Sequence, residues 1–241
     1  MRYVWATATH QGRVRRRNED AVYPDSSGAS ELAILVGVAD GMGGAIAGNV
    51  ASSTALEAAV TKDPQSDVSM VERIVAGNDE LLGEIERNPD LRGMGTTLTL
   101  GLFRPNGTLE LGHVGDSRAY RLRSNEIELL TTDHTVVSEL VAMGHLEPAD
   151  AERHPQRHLL TRALGLGPVV VDHEIVALES ADRILICSDG LTSMLSDEQI
   201  GEIANGEDVE PTVWALVEAA NSAGGVDNIT VAIVDAVDPT T

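Results

Sequence analysis

Apolar residues in this chain come in short runs and at two distinct spacings. Residues 29–40 contain the run LAILVGVAD, apolar until a turn ends it, which predicts a strand buried on both faces. Residues 47–61 carry small and apolar side chains at helical spacing. Residues 68–86 place Val71, Ile74, Val75, Leu81, Leu82 and Ile85 on one stripe and predict an amphipathic helix, ended by Pro89 and Gly93. Closely spaced strand signals follow at 96–103, 109–114, 117–123 and 127–130. A Pro105-Asn106-Gly107 turn separates the first two, and 109–114 and 117–123 read as paired strands around a tight Gly115-Asp116 junction. Residues 136–145 and 148–153 predict polar helices broken by Gly144 and Pro148. Strands are expected again at 169–177 and 182–188, helices at 197–204 and 209–223, and a last strand at 228–234. Strands in runs, not alternating strictly with helices, favour an antiparallel α+β arrangement. About ten strands and two helical pairs suit two packed sheets flanked by helices. Neither a repeat nor a long low-complexity linker divides the chain, so one domain over residues 1–241 is expected.

Composition narrows the function. With 42% hydrophobic and 23% charged residues the chain has ordinary globular character. Lys and Arg number 17 against 38 Asp and Glu, a formal charge of −21, which excludes a non-specific nucleic-acid binder and argues against an anionic membrane surface. The single cysteine, Cys187, excludes an internal disulfide and a cysteine-based zinc cluster, and fits a reducing compartment. It lies in an apolar strand and reads as core. Residues 1–14 have no apolar leader core, and the longest apolar run, at 32–39, falls far short of the roughly 20 residues that span a bilayer. A cytoplasmic protein without membrane insertion is expected.

Five acidic sites share one local design, a carboxylate at the end of an apolar strand, usually beside glycine. They are Asn18-Glu19-Asp20, Asp40-Gly41, Gly115-Asp116, Asp189-Gly190 and Asp227-Asn228. Strand ends hold a carboxylate rigidly within reach of solvent, and glycine lets a backbone carbonyl approach a ligand. Oxygen donors without sulfur suit Mg²⁺ or Mn²⁺. One Asp-Gly alone is more often a turn or a helix cap. If the strand ends converge, however, mutual repulsion demands either cations or protonation. The basic cluster Arg13, Arg15, Arg16, Arg17 stands out in so acidic a chain. It reads as an edge-strand decoration or as a phosphate-binding group, and spacing does not choose among its members.

In the order GRVRRRNED (12–20), VADGMGG (38–44), GMGTTL (93–98), GHVGDSRAYR (112–121), TTDHT (131–135), RHLLTRALG (157–165), CSDGL (187–191) and GGVDNITV (224–231), the chain resembles the metal-dependent Ser/Thr protein phosphatases, the PPM or protein-phosphatase-2C-like family, in its short bacterial form. The resemblance implies a four-layer αββα sandwich of two mainly antiparallel sheets flanked by helix pairs. It further implies two to three Mn²⁺ or Mg²⁺ ions. Asp40 would bridge two of them, with the Gly41 carbonyl and Asp20 at the second and Glu19 a further candidate there. Asp189 and Asp227 would complete the first, and Asp116 with Asp189 would hold a third. Arg15 would bind phosphate, and residues 136–157 would form a flap. A hydroxide shared by the metals would attack phosphoserine or phosphothreonine in line, so Arg15 and Asp40 carry the expected catalysis. Phosphorylated proteins and a cognate Ser/Thr kinase are the implied partners, and a monomer is expected. The sequence departs from the family at Ala45, where bacterial members commonly have His, and at Asn49, where Glu is frequent. A general acid contributes about 10²–10⁴-fold, so Ala45 keeps open a weakly active or non-catalytic phosphoprotein-binding regulator. His113, His134, His154 and His158 could stand in for the missing group, although each reads first as structural. A phosphatase of a partner-switching pathway is the other alternative.

Overall fold

The computed structural model describes residues 1–43, 47–151 and 153–239. One sheet runs, in spatial order, β3 (Gly28–Ser30), β1 (Arg2–His10), β12 (Ile229–Val237), β11 (Arg183–Cys187), β8 (Arg118–Arg123) and β9 (Glu126–Leu129). The second runs β10 (Asp172–Ala177), β7 (Thr108–Val114), β6 (Leu98–Arg104), β4 (Ile34–Met42) and β2 (Asp20–Tyr23), with the short β5 (Gly95–Thr96) paired to β4. Every pairing is antiparallel. Helices α1 (Ala47–Val60) and α2 (Met70–Arg87) cover the second sheet. Helices α6 (Asp197–Ala204) and α7 (Val209–Ser222) cover the first, beside the single turn α5 (Asp189–Thr192). Helices α3 (Val136–Ala142) and α4 (Pro148–Ala151) fall in the polar stretch expected to form helices, and α4 buries no residue.

Strand alternation sorts the core into three layers. On β11, Ile184 and Ile186 face the other sheet, joined by Val36, Val38, Phe103 and Val234, while Leu185 and Cys187 face the helices with Leu191, Val213 and Leu216. On β4 and β6, Leu35, Leu100 and Leu102 turn the other way, onto Ala51, Ala55, Ile74 and Leu81 of α1 and α2. Two sheets each buried on both faces require two helical layers outside them, which is the αββα sandwich. Cys187 is wholly buried, and that burial pushes its thiol up to about 12. Among the described residues no helix is long and apolar enough to cross a membrane.

Several local expectations need correction. The strands at 109–114 and 117–123 are not partners. β7 pairs with β6 and β10, and β8 pairs with β11 and β9, so the Gly115-Asp116 junction carries the chain from one sheet to the other. Alternation shows that a segment buries one face but does not show which strand lies beside it. The stretch 29–40 is two strands with a bend between them. On α2 the buried face is Met70, Arg73, Ile74, Gly77, Asn78 and Leu81, while Val71 is exposed. The helix starts at Met70 because Ser69 caps it: the Ser69 hydroxyl accepts the Glu72 N–H at 3.3 Å, and Glu72 accepts the Ser69 N–H at 2.9 Å. Arg13, Arg15, Arg16 and Arg17 lie on the loop between β1 and β2, not on a strand. Both β1 and β2 were outside the expected elements. β1 is rich in Thr and Ala, and its apolar face shows only against β12. Ala45 lies outside the described residues.

Candidate metal centre

All five acidic sites come to the same end of the sandwich. Asp20 opens β2 directly opposite Asp40 on β4. Asp40 is fixed through its backbone, donating to Thr97 Oγ1 at 2.9 Å and accepting from the Thr97 N–H and the Thr96 hydroxyl, both at 2.9 Å. Asp116 follows the sheet crossover, Asp189 opens α5 after β11, and Asp227 precedes β12. Gly41 donates its N–H to the Glu19 carbonyl at 3.2 Å. A Cβ at Gly41 would lie 2.1 Å from the Gly48 carbonyl oxygen, so only glycine lets β4 pass α1 this closely. A Cβ at Gly48 would meet both the Gly41 carbonyl oxygen and Glu19 Oε2 at 2.9 Å, which places the Glu19 carboxylate next to that carbonyl.

The cluster holds more carboxylates than nearby cations can offset. Burial, then Asp20, Asp189, Asp116 and Asp227 in turn, hold the Asp40 carboxyl well above the ordinary carboxylate range. Asp20 is pushed up to about 7, first by burial, against the Thr230 and Ser188 hydroxyls that donate to its Oδ2 at 2.6 and 2.8 Å. Asp116 is pushed up to about 8 by burial and then by Asp189 and Asp133, with Arg118 opposing. That shift disfavours the charged form by on the order of 5 kcal/mol. Burial and then Asp227 raise Asp189, partly offset by a hydrogen bond with Asp40, by His158 and by Arg15. Arg15 bridges to Asp227 Oδ2 at 2.5 Å through Nη2, and its guanidinium is half exposed. The Asp227 bond raises the Arg15 pKa more than burial lowers it.

The donor chemistry fits hard divalent cations. Asp20 Oδ1 and Asp189 Oδ1 are buried without a hydrogen-bond partner, and an orphaned buried carboxylate oxygen is costly unless a cation or proton satisfies it. All the converging donors are oxygens, as Mg²⁺ and Mn²⁺ prefer. Among the described residues no three His, Cys, Asp or Glu side chains form a ready ligand group as they stand. Arg15 engages one oxygen of Asp227 and two hydroxyls engage one oxygen of Asp20, so loading an ion calls for side-chain rotation within the cluster.

A model of the family described as protein phosphatase 2C matches residues 9–230. The chain belongs to the protein phosphatase 2C family. It is 42% identical over 239 residues to the serine/threonine protein phosphatase PstP of Mycobacterium tuberculosis, a match covering 97% of this chain and 45% of that protein. The chain therefore spans less than half the length of that relative. It is 36% identical over 240 residues to the serine/threonine phosphatase stp of Listeria monocytogenes, covering 94% of this chain and 93% of the relative. A crystal structure of the PstP catalytic domain in complex with two manganese ions superposes with a TM-score of 0.87 at 37% identity, covering 99% of this chain and all of that one. Membership and fold agree with the motif order read from the sequence.

The family motifs contain polar residues whose task only the structure shows. Asn228, next to Asp227, accepts the Glu19 N–H at 2.8 Å and donates to the Gln11 and Arg17 carbonyls at 2.9 Å each, tying down the loop that carries Arg15. Thr97 supports Asp40 and also contacts the Ser117 hydroxyl at 2.7 Å, beside Asp116. The Ser188 and Thr230 hydroxyls orient Asp20. The signal available in advance was a small hydroxyl or amide residue next to Asp116, Asp189 and Asp227, namely Ser117, Ser188 and Asn228. Of the four histidines considered, His158 lies beside the cluster, its Nδ1 3.8 Å from Asp189 Oδ2. His113 is buried against Thr99 and the Thr132 carbonyl, and burial brings its pKa down to about 4. His154 accepts the Gln156 N–H within its own loop.

Proposed function

We propose that the chain hydrolyses phosphoserine and phosphothreonine in proteins at a centre of two to three Mn²⁺ or Mg²⁺ ions. The observation that carries this reading is a set of buried, mutually repelling carboxylates with orphaned oxygens, placed beside an exposed arginine in a protein phosphatase 2C fold. Asp40 would stand between two ions. The Gly41 carbonyl and Asp20, with Glu19 adjacent, would serve the second, and Asp189 and Asp227 the first. Asp116 with Asp189 would serve a third. When bound, paired divalent ions supply an acidified water near neutral pH and offset charge on phosphoryl oxygens.

The chain's own residues do the rest. Arg15 contacts Asp227 through a single nitrogen, which leaves the remainder of its planar fork for two phosphoryl oxygens. Asn228 holds the backbone on either side of that loop, so the guanidinium is offered from a fixed base. No protein nucleophile is needed, and Cys187, buried with a raised thiol pKa, supplies none. Residues 136–157 act as a flap over the substrate, and α4 within them buries no residue. The chain works as a single-domain monomer in the cytoplasm against a cognate Ser/Thr kinase. Phosphoprotein substrates are supported by the named relatives, and the buried, unpaired thiol fits a reducing compartment. Every carboxylate the reaction requires is present, which favours turnover over mere phosphoprotein binding.

Hydrolysis of a phosphothreonine peptide should require Mn²⁺ or Mg²⁺ and stop in excess chelator. Undiminished turnover in chelator would overturn the assignment.

A further inference from the structure

Gly115 sits where the chain crosses between sheets, immediately before Asp116. Its φ is +113°, and a Cβ there would lie 2.5 Å from Thr97, so the position requires glycine. The most freely rotating residue type thus precedes a carboxylate that Asp189 and Asp133 both repel. Something outside the loop must hold it.

His134 does so from two sides. Its Nδ1 accepts the Gly115 N–H at 3.0 Å, and its backbone N–H donates to the Gly115 carbonyl at 2.8 Å. Both peptide groups flanking Gly115 are therefore held by one residue, itself 3% exposed. Because Nδ1 accepts, the ring proton belongs on Nε2, which donates to Asp172 Oδ2 at 3.0 Å. The other Asp172 oxygen accepts from Arg162 at 2.7 Å. Arg162 also comes within 3.3 Å of Nε2, and this approach of two donors is tolerable only through the carboxylate they share. The His134 carbonyl accepts the Thr161 N–H at 2.8 Å. One continuous set of contacts thus joins the Asp116 loop to β10 and to the segment that follows the polar helices.

We propose that His134 is a positioning residue that fixes the Asp116 carboxylate for a divalent ion shared with Asp189. The proposal rests on the ligand reading of Asp116 given above. His134 touches neither the ion nor the phosphate. It acts through the Gly115 backbone, with Asp172 and Arg162 fixing the ring's tautomer and angle, as outer partners do around metal ligands.

The test is Mn²⁺ binding to the intact protein by titration calorimetry, with Asp116→Asn as reference. His134→Asn keeps an acceptor near the place of Nδ1, whereas His134→Gln keeps a donor near the place of Nε2 and loses that acceptor. His134→Gln should weaken the weakest Mn²⁺ step by about tenfold or more, and His134→Asn should restore most of it. With His134→Gln the Mn²⁺ concentration for half-maximal turnover should rise while KM for a phosphopeptide stays put. In the Asp116→Asn background, His134→Gln should add nothing. The proposal is overturned if His134→Gln leaves the isotherm unchanged while Asp116→Asn alters it, if the two effects add, or if Asn rescues no better than Gln. An isotherm unaffected by Asp116→Asn overturns the ligand reading of Asp116 and the positioning role with it. Should His134→Gln fail to fold, the exposed partner Asp172→Asn carries the same test. A several-fold weakening that vanishes in the Asp116→Asn background supports the proposal, and no change sinks it.

Discussion

Asp182 and Asp20 are both buried carboxylates at the edge of a strand, yet the protein treats them oppositely. Asp182, 1% exposed, accepts both prongs of Arg123 at 2.6 Å and the Glu179 N–H at 2.8 Å. Burial pushes its pKa up, but these partners outweigh it and hold the carboxyl below the ordinary value. Asp20 receives two hydroxyls and no cation, and rises to about 7. Arg183 likewise forks onto both oxygens of Asp235, at the same end as Asp182. Asp40, Asp116 and Asp189 repeat the second. Where a carboxylate serves structure, a guanidinium neutralises it locally. At Asp20, Asp40, Asp116 and Asp189, proposed above to serve divalent ions, the carboxyls are left raised, and binding of an ion would return the stability lost.

The sharpest way to break this contrast is to neutralise one acid at each end. Asp40→Asn should lower kcat by about 10³-fold, several kcal/mol of transition-state stabilisation, and should raise the melting temperature in chelator by relieving repulsion. Asp182→Asn should leave kcat unchanged and cost about 2 kcal/mol of stability, read by denaturant unfolding. Equal losses of activity from both would erase the distinction. Arg15→Ala, which removes a cation from the functional end, should raise KM for a phosphopeptide about tenfold or more while changing kcat less. An unchanged KM would remove Arg15 from phosphate binding.

Stability against pH sharpens the comparison further. In chelator, the folded-state pKa values of Asp20 and Asp116 are raised to about 7 and about 8 from 3.8. Their contribution is complete below the unfolded value and is lost as pH rises through 7 and 8. The metal-free protein should be more stable at about pH 6.5 than at about pH 8.5, by on the order of 2 kcal/mol, and Mn²⁺ should flatten this slope. His113 acts in the reverse sense. With its pKa lowered from 6.5 to about 4, its contribution is present above 6.5 and is lost as pH falls through 4. Between about pH 4 and 6.5 the two carboxylates outweigh the single His113, so melting temperatures in chelator should fall steadily as pH rises, and a profile already flat without metal would contradict the repelling cluster. The smallest effect lies outside both regions: Ser69→Ala should cost about 1 kcal/mol by removing the cap of α2, with no effect on turnover.

Much of this was legible residue by residue. The apolar runs ending in Asp40 and Asp189 are β4 and β11, and the motif order marked the family. The expected ligands Asp20, Asp40, Asp116, Asp189 and Asp227 do share one electrostatic cluster. What failed was non-local. β1 escaped because Thr and Ala alternate too weakly to mark a buried face until β12 covers it. Spacing leaves Arg13, Arg15, Arg16 and Arg17 open between an edge-strand decoration and a phosphate-binding group; they lie on a loop whose backbone Asn228, more than 200 positions away, holds. Val71 sat on the apparent stripe of α2, yet Arg73 is the residue taken inside, where it donates to the Lys62 and Asp63 carbonyls.

By itself the sequence determined which segments bury a face, which carboxylates end them, and which family they belong to, because side-chain period and local spacing encode burial and chemistry directly. Only the tertiary structure decided which strands are neighbours, that Gly115 crosses between sheets, and that His134, Thr97 and Asn228 stand behind the acids. Those facts depend on contacts between residues far apart in the chain. Such contacts form when two sheets close on a shared core, and no local pattern records them.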